Sequence, residues 1–237
     1  MRHRVNVRGE RMLKSALLEA IGDLCSLLAN APSKTRRTWR RHQTRDLLKA
    51  QRLAARIHDG DEVLDIGCGS GHTLAEVSLF RAIRPRGVDV ALRGQRFEEI
   101  PIARYDGRTL PFDDKSFDVT LLCYVLHHLS PEHAAVLFGE AVRVTRRRIV
   151  MLEDSLPMFG WLYRLRNRCH RLEAGMTYQA ATAVYRSPPD EAMFLTHDGW
   201  CRWLGAQPGV ADVRVESLAE ISRFDHHTLF DVALAAR

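Results

Sequence analysis

Chemistry is concentrated at Asp65-Ile66-Gly67-Cys68-Gly69-Ser70-Gly71. The apolar run Glu62-Val63-Leu64 ends in a carboxylate, three glycines alternate with small residues, and His72-Thr73-Leu74-Ala75-Glu76-Val77 has the character of a first helical turn. Glycine tolerates positive φ and lets a ligand approach the backbone, and a helix start offers amides without intrahelical partners. A strand, glycine turn and helix in this order hold a nucleotide-like ligand at the carboxyl edge of a parallel sheet. The dinucleotide pattern G-x-G-x-x-G requires its third glycine at position 72, where the chain has His72. An acid ahead of the first glycine favours a cationic ligand group over a pyrophosphate.

The next polar landmarks extend this reading. Gly87-Val88-Asp89-Val90 reads as a second strand closed by an acid, 24 residues after Asp65, and an acid in that place accepts hydrogen bonds from ribose hydroxyls. Tyr105-Asp106-Gly107-Arg108-Thr109-Leu110-Pro111-Phe112 follows, then the apolar strand Val119-Thr120-Leu121-Leu122-Cys123 and Tyr124-Val125-Leu126-His127-His128-Leu129. S-adenosylmethionine (SAM), with an amino group and a sulfonium, suits these acids better than NAD. Over roughly residues 60–155 the series resembles the class I SAM-dependent methyltransferases, and among them the methyltransferase type 11 group of quinone and small-molecule enzymes. The resemblance implies a cofactor-binding set. Asp65, Gly67, Cys68, Gly69 and Gly71 would seat the methionine part, Asp89 and Val90 the ribose, and Asp106, Gly107 and Leu110 the adenine. Cys123 would lie near the methionine end. The product would be S-adenosylhomocysteine.

Methyl transfer from a sulfonium is an in-line displacement whose rate rests largely on geometry. A base is needed only when the acceptor carries a proton at neutral pH. Candidate catalytic groups are His127 and His128, after the fourth strand, and Asp154, which with Glu153 ends the fifth. The histidines read either as bases or as residues of the turn. The two acids read either as a base and a partner for a substrate cation, or as a helix cap and surface charge. His226 and His227, where the last strand begins, read either as reaching the pocket or as a metal pair; neighbours on a strand face opposite sides, which disfavours a shared metal, and none is expected.

These residues need a scaffold. Alternating apolar strands and helices predict an α/β fold: a Rossmann-like, seven-stranded, mostly parallel sheet with helices on both faces and an antiparallel C-terminal hairpin. Strands are placed at 62–66, 86–90, 102–105, 117–123, 148–153, 210–217 and 227–235. Helices are placed at 71–81, 91–98, 131–144 and 197–204, the last capped by Thr196, with Arg143 to Arg148 at the C-terminal end of 131–144. Leu13, Leu17, Ala20, Ile21, Leu24 and Leu28 recur at helical spacing, and a second helix runs from Ser33 or Thr35 towards Ile57. Residues 1–58 thus form a basic, helical N-terminal cap. Residues 59–237 form the SAM-binding domain, with 154–195 as an insertion placed to select substrate.

Composition bounds the rest. The chain has 237 residues, 46% of them apolar, enough for a sizeable core. Its net charge of +6 is uneven: residues 1–60 carry +9 and residues 61–237 carry −3. The basic stretch Lys34 to Arg45 suggests an anionic surface, either a membrane face near a lipid-like acceptor or RNA, or else a solvated helix. RNA is disfavoured, because Cys123-Tyr124-Val125-Leu126 replaces the Asn-Pro-Pro-Tyr-like motif of enzymes acting on base nitrogens. The five cysteines are odd in number and dispersed, which fits a reducing cytoplasm and no disulfide framework. Lys14, Glu19 and Asp23 interrupt what would be the apolar core of a secretory leader, and no uncharged apolar run is long enough to span a membrane. The expectation is SAM-dependent O-, N- or C-methylation of a small molecule, quinone or lipid-like compounds included. The rivals are an RNA or protein methyltransferase and a non-catalytic SAM-binding partner protein.

Overall fold

The computed structural model describes residues 46–91, 97, 99–155, 193, 195–218 and 227–235. The helix expected over 13–28, the basic stretch 34–45, nearly all of the 91–98 helix and of the 154–195 insertion, and His226 lie outside the described residues.

Seven strands form one sheet: β1 Glu62–Ile66, β2 Arg84–Asp89, β3 Ile102–Arg104, β4 Phe117–Cys123, β5 Thr145–Asp154, β6 Val210–Ser217 and β7 His227–Leu234. Their order is β3-β2-β1-β4-β5-β7-β6. β1 to β5 pair in parallel, and β7 lies antiparallel between β5 and β6. The sheet is the expected one. β1 and β4 are buried almost throughout because helices cover both faces, which explains their unbroken apolar sequences. Strand order reverses between β1 and β4, and ligands of such sheets bind in the crevice beyond the strand ends at that reversal.

Each face has its own core. A helix over residues 46–54 (α1) and α2 (His72–Ser78) bring Leu53, Leu74 and Val77 against Val63, Leu121 and Leu152. On the other face, α3 (Pro131–Val144) and α4 (His197–Gly205) bring Phe138, Trp200 and Leu204 against Ile66, Met151 and Phe230. Ser130 and Thr196 cap α3 and α4 by accepting from the amides of His133 and Gly199. Among the described residues no helix is long and apolar enough to cross a membrane.

One boundary departs from the sequence reading. Helix α3 ends at Val144, and β5 begins at Thr145 rather than 148. The arginines therefore lie in the strand, not at the helix end. Three acids hold them there: Arg146 meets Asp118 at 2.9 Å, Arg148 meets Asp231 at 3.0 Å, and Arg147 pairs with Asp61. Buried Thr145 fixes the register, bonding to Thr120 Oγ1 at 2.6 Å. This basic run is structural and sits at the end of the sheet away from the glycine turn.

Candidate active site

The glycine turn leaves β1 with φ of +74° at Gly67, +56° at Gly69 and +83° at Gly71. At Gly67 the conformation is enforced by packing as well, since a Cβ there would stand 2.7 Å from Val125 Cγ2. Gly87 in β2 likewise makes room for Cys68, whose Sγ would lie 2.5 Å from an added Cβ. The turn is tied to β2 by its backbone: Gly67 and Cys68 both donate to Val88 O. Gly69 N donates to Asp89 Oδ2 at 2.8 Å, and Ala91 N to Asp89 Oδ1 at 2.9 Å. Asp89 thus fixes the glycine turn while its carboxylate keeps further acceptor capacity.

Asp65 is 1% exposed, and its Oδ1 has no hydrogen-bond partner among the described residues. Burial first, and the nearby Asp89 charge second, push its carboxyl up to about 8. Buried polar atoms are normally satisfied, so this oxygen at the head of the glycine turn is an unmet acceptor. The Cys68 thiol is pushed up by burial, then by Asp65 and Asp89; that of Cys123 is pushed up by burial, then by Asp65 and Glu153. Both stay protonated at neutral pH, so neither is a thiolate nucleophile.

The segment after β3 is organised by groups that sequence reading passed over. Asp106 Oδ1 accepts from the amides of Thr109 and Arg108 at 2.7 and 2.8 Å, which holds its carboxyl below the usual range. Gly107 supplies φ of +82° in this turn. Leu110 is buried in the core beside Tyr105 and Phe117, and its amide donates to Glu140 Oε2 at 2.8 Å. Glu140 is gripped by Arg143, which also donates to the carbonyls of Leu110 and Phe112. The only sequence signal was an i,i+3 acid–base pair on α3.

Two carboxylate–histidine pairs stand at the ends of β5 and β7. Glu153 is completely buried; it accepts from the amides of Val125 and Leu126 at 3.1 and 2.8 Å and pairs with His127 Nδ1. It is therefore neither a helix cap nor a surface charge. It is the anchor of the turn after β4, where Leu126–His128 form one 3-10 turn. His127 is 4% exposed, and the half-buried ring of His128 lies 4.0 Å from it. Asp154 Oδ1 lies 2.8 Å from His227 Nδ1, and the rings of His227 and Tyr124 meet edge-on at 5.0 Å. Of the three candidate catalytic residues, His127 thus belongs to the inner pair, with the His128 ring beside it, and Asp154 to the outer one.

Solved proteins share this fold. A family model described as a methyltransferase domain matches residues 64–150. The demethylmenaquinone methyltransferase of Corynebacterium efficiens is 28% identical over 193 residues, 73% of this chain and 80% of that relative. Magnesium protoporphyrin IX methyltransferase from Synechocystis, solved with bound S-adenosylhomocysteine, superposes with a TM-score of 0.55 at 14% identity, covering 91% of this chain and 94% of that one. Geranyl diphosphate C-methyltransferase from Streptomyces coelicolor superposes with a TM-score of 0.57 at 11% identity, covering 79% and 76%. The two structures share the fold; the family match spans the strand-closing acids, the glycine turn and the Asp106 segment together. Residues 64–150 thus match a methyltransferase domain, and the chain as a whole has the fold of these solved methyltransferases.

Proposed function

We propose that this enzyme methylates a small, ring-bearing acceptor of the quinol or phenol class, and that its cofactor is held by the residues around the β1–β4 reversal. The orphaned Oδ1 of buried Asp65 carries the cofactor assignment; it suits the amino group of SAM. The turn at Gly67, Cys68, Gly69 and Gly71 would lie along the methionine part. Asp89 and Val90 would face the ribose, Asp106, Gly107 and Leu110 the adenine edge, and Cys123 the sulfur end. When bound, SAM supplies a methyl group on a cationic sulfur. The protein's own part is to orient the acceptor in line with it and to remove a proton where the acceptor has one. The acceptor class is supported by the likeness to a demethylmenaquinone methyltransferase over 80% of that relative's length, and by the aromatic and imidazole groups at the ends of β4 and β7.

Calorimetric titration with S-adenosylhomocysteine tests the cofactor assignment. Binding is expected in the wild type, with at least a roughly tenfold loss, about 1.4 kcal/mol, in Asp89→Ala, since that change removes the ribose acceptor and unties Gly69. No heat in the wild type, or none lost in the variant, would sink it. Radiolabelled methyl transfer to 1,4-naphthohydroquinone, set against bulk RNA and protein, tests the acceptor class; label appearing only in a macromolecule counts against it.

The basic segment from Lys34 to Arg45 holds six Lys/Arg and no acid. We assign it to an anionic membrane surface, where a prenylated quinol would reside. Co-sedimentation with phosphatidylglycerol vesicles should occur at low salt and fade above ~0.3 M salt as screening shortens. Equal sedimentation with neutral vesicles would refute that assignment.

A further inference from the structure

We propose that His227 is the general base that deprotonates the methyl acceptor, with Asp154 as its positioning residue, and that His127 is not the base. This rests on the proposed acceptor class and goes a step further, assigning the proton transfer to one of two neighbouring pairs.

Glu153 and Asp154 are consecutive on β5, so their side chains leave opposite faces of the sheet. Glu153 shares its face with Met151 and Ile149, the side covered by α3 and α4. There it is fully enclosed, and its three donors come from the β4 turn. Asp154 shares its face with Leu152 and Val150, the side of α1 and α2. Asp65, Val63, Leu121 and Cys123 alternate onto this same face. The Cys123 thiol feels Asp65 at the end of β1 and Lys49 on α1, as well as Glu153. His227 is cross-strand opposite Asp154 in the β5–β7 ladder. Directly opposed residues share a face, which accounts for the 2.8 Å approach of Nδ1 to Oδ1.

Tyr124 completes the wall. It is a bulky residue with φ of +60°, a conformation that costs energy and clusters at functional sites. That turn sets its ring edge-on to His227 at 5.0 Å, while Lys49 from α1 stands 5.1 Å from the ring centre. The titratable groups around His227 include Asp154 on β5, Tyr124 at the end of β4 and, across Tyr124, Lys49 on α1.

The chemistry balances without a further reactant. Asp154 stands 2.8 Å from Nδ1 and steadies the ring by charge, and Nε2 takes the acceptor's hydroxyl proton. The electron pair left on the acceptor forms the bond to the methyl carbon, directly from oxygen or from the conjugated ring carbon, whose own proton then moves to the oxygen and restores the aromatic ring. The pair of the methyl–sulfur bond stays on sulfur as a neutral thioether. Asp154 stabilises the imidazolium, which passes its proton to water when product leaves.

The test follows methyl transfer to 1,4-naphthohydroquinone against pH, with S-adenosylhomocysteine titrations alongside. In the wild type kcat rises with slope one as pH increases and then levels off. His227→Gln should lower kcat roughly 100- to 10,000-fold, lose that limb and bind S-adenosylhomocysteine as before. Asp154→Asn should lower kcat with little change in KM, and Asp154→Glu should restore part of the loss, because the side chain acts by orienting the imidazole. If His227→Gln keeps both rate and limb, or if His127→Gln loses the limb instead, the assignment is overturned. Where turnover is too slow to profile, ring 15N spectra decide. The His227 resonance should shift when naphthohydroquinone joins the S-adenosylhomocysteine complex, and an unchanged resonance overturns the assignment. Loss of S-adenosylhomocysteine binding in the wild type would instead strike the cofactor assignment.

Discussion

Asp65→Asn should abolish useful cofactor binding and yet give a more stable apo-protein at pH 8. Asp65 is buried, and its carboxyl titrates near 8 against 3.8 for an ordinary aspartate. Between those values the folded apo-protein holds a proton that the unfolded chain does not. Stability attributable to this group is therefore greatest below about pH 4, falls as pH rises to about 8, and is level above. The slope is at most about 1.4 kcal/mol per pH unit. Asparagine carries no charge to desolvate and removes the slope. Its binding defect has the same origin. An ammonium needs the ionised carboxylate, so wild-type affinity for S-adenosylhomocysteine should rise towards tenfold per unit from pH 6 to 8, then flatten, with proton release in the lower range. Truncating one side of a buried charge-assisted pair costs about 2–5 kcal/mol, so a loss of 100-fold or more is expected. Thermal melts at pH 5 and 8, with calorimetry in buffers of different ionisation enthalpy, check both halves. A variant whose melts follow pH as the wild type's do would show that Asp65 is not the group responsible.

The sheet was legible because its signals are local. Apolar runs of strand length bounded by turn residues place β1 and β4 to the residue, and Thr196 announces its helix through capping chemistry that depends on a few neighbours. The glycine turn was legible for the same reason, with its acid, glycines and helix contiguous. What escaped depends on distance. Arg146 to Arg148 look like the cationic tail of a helix until Asp61, Asp118 and Asp231 are brought to them by the sheet. Glu140 and Arg143 read as a surface pair until the carbonyls and amide of the 110–112 segment arrive. Glu153 and Asp154 read alike as sequence. The pleat separates them, one into a sealed anchor and the other to the cofactor face beside His227.

Glu153→Ala should be among the most destabilising single changes in the molecule, and its effect should reach the cofactor. The side chain is fully buried and accepts from two amides and one imidazole nitrogen. Alanine leaves three donors without an acceptor in a site where water does not replace it. Each such group costs about 1–3 kcal/mol, and for a tightly packed cluster a total of about 3–5 kcal/mol is expected. Glutamine retains an oxygen for the Val125 and Leu126 amides and turns its NH2 towards His127, which can answer by switching tautomer, so Glu153→Gln should lose only about 1–2 kcal/mol. Urea denaturation separates the two. The turn that Glu153 holds also carries Val125, packed against the Cα of Gly67. Loosening it should weaken S-adenosylhomocysteine binding roughly tenfold in Glu153→Ala, about 1.4 kcal/mol, through a residue that touches no ligand. In Glu153→Gln the turn persists, so the pH limb of methyl transfer assigned to His227 should persist as well. A Glu153→Ala protein as stable as the wild type would mean that the β4 turn is held by its own sequence, and that the two acids ending β5 are not divided between anchoring and catalysis.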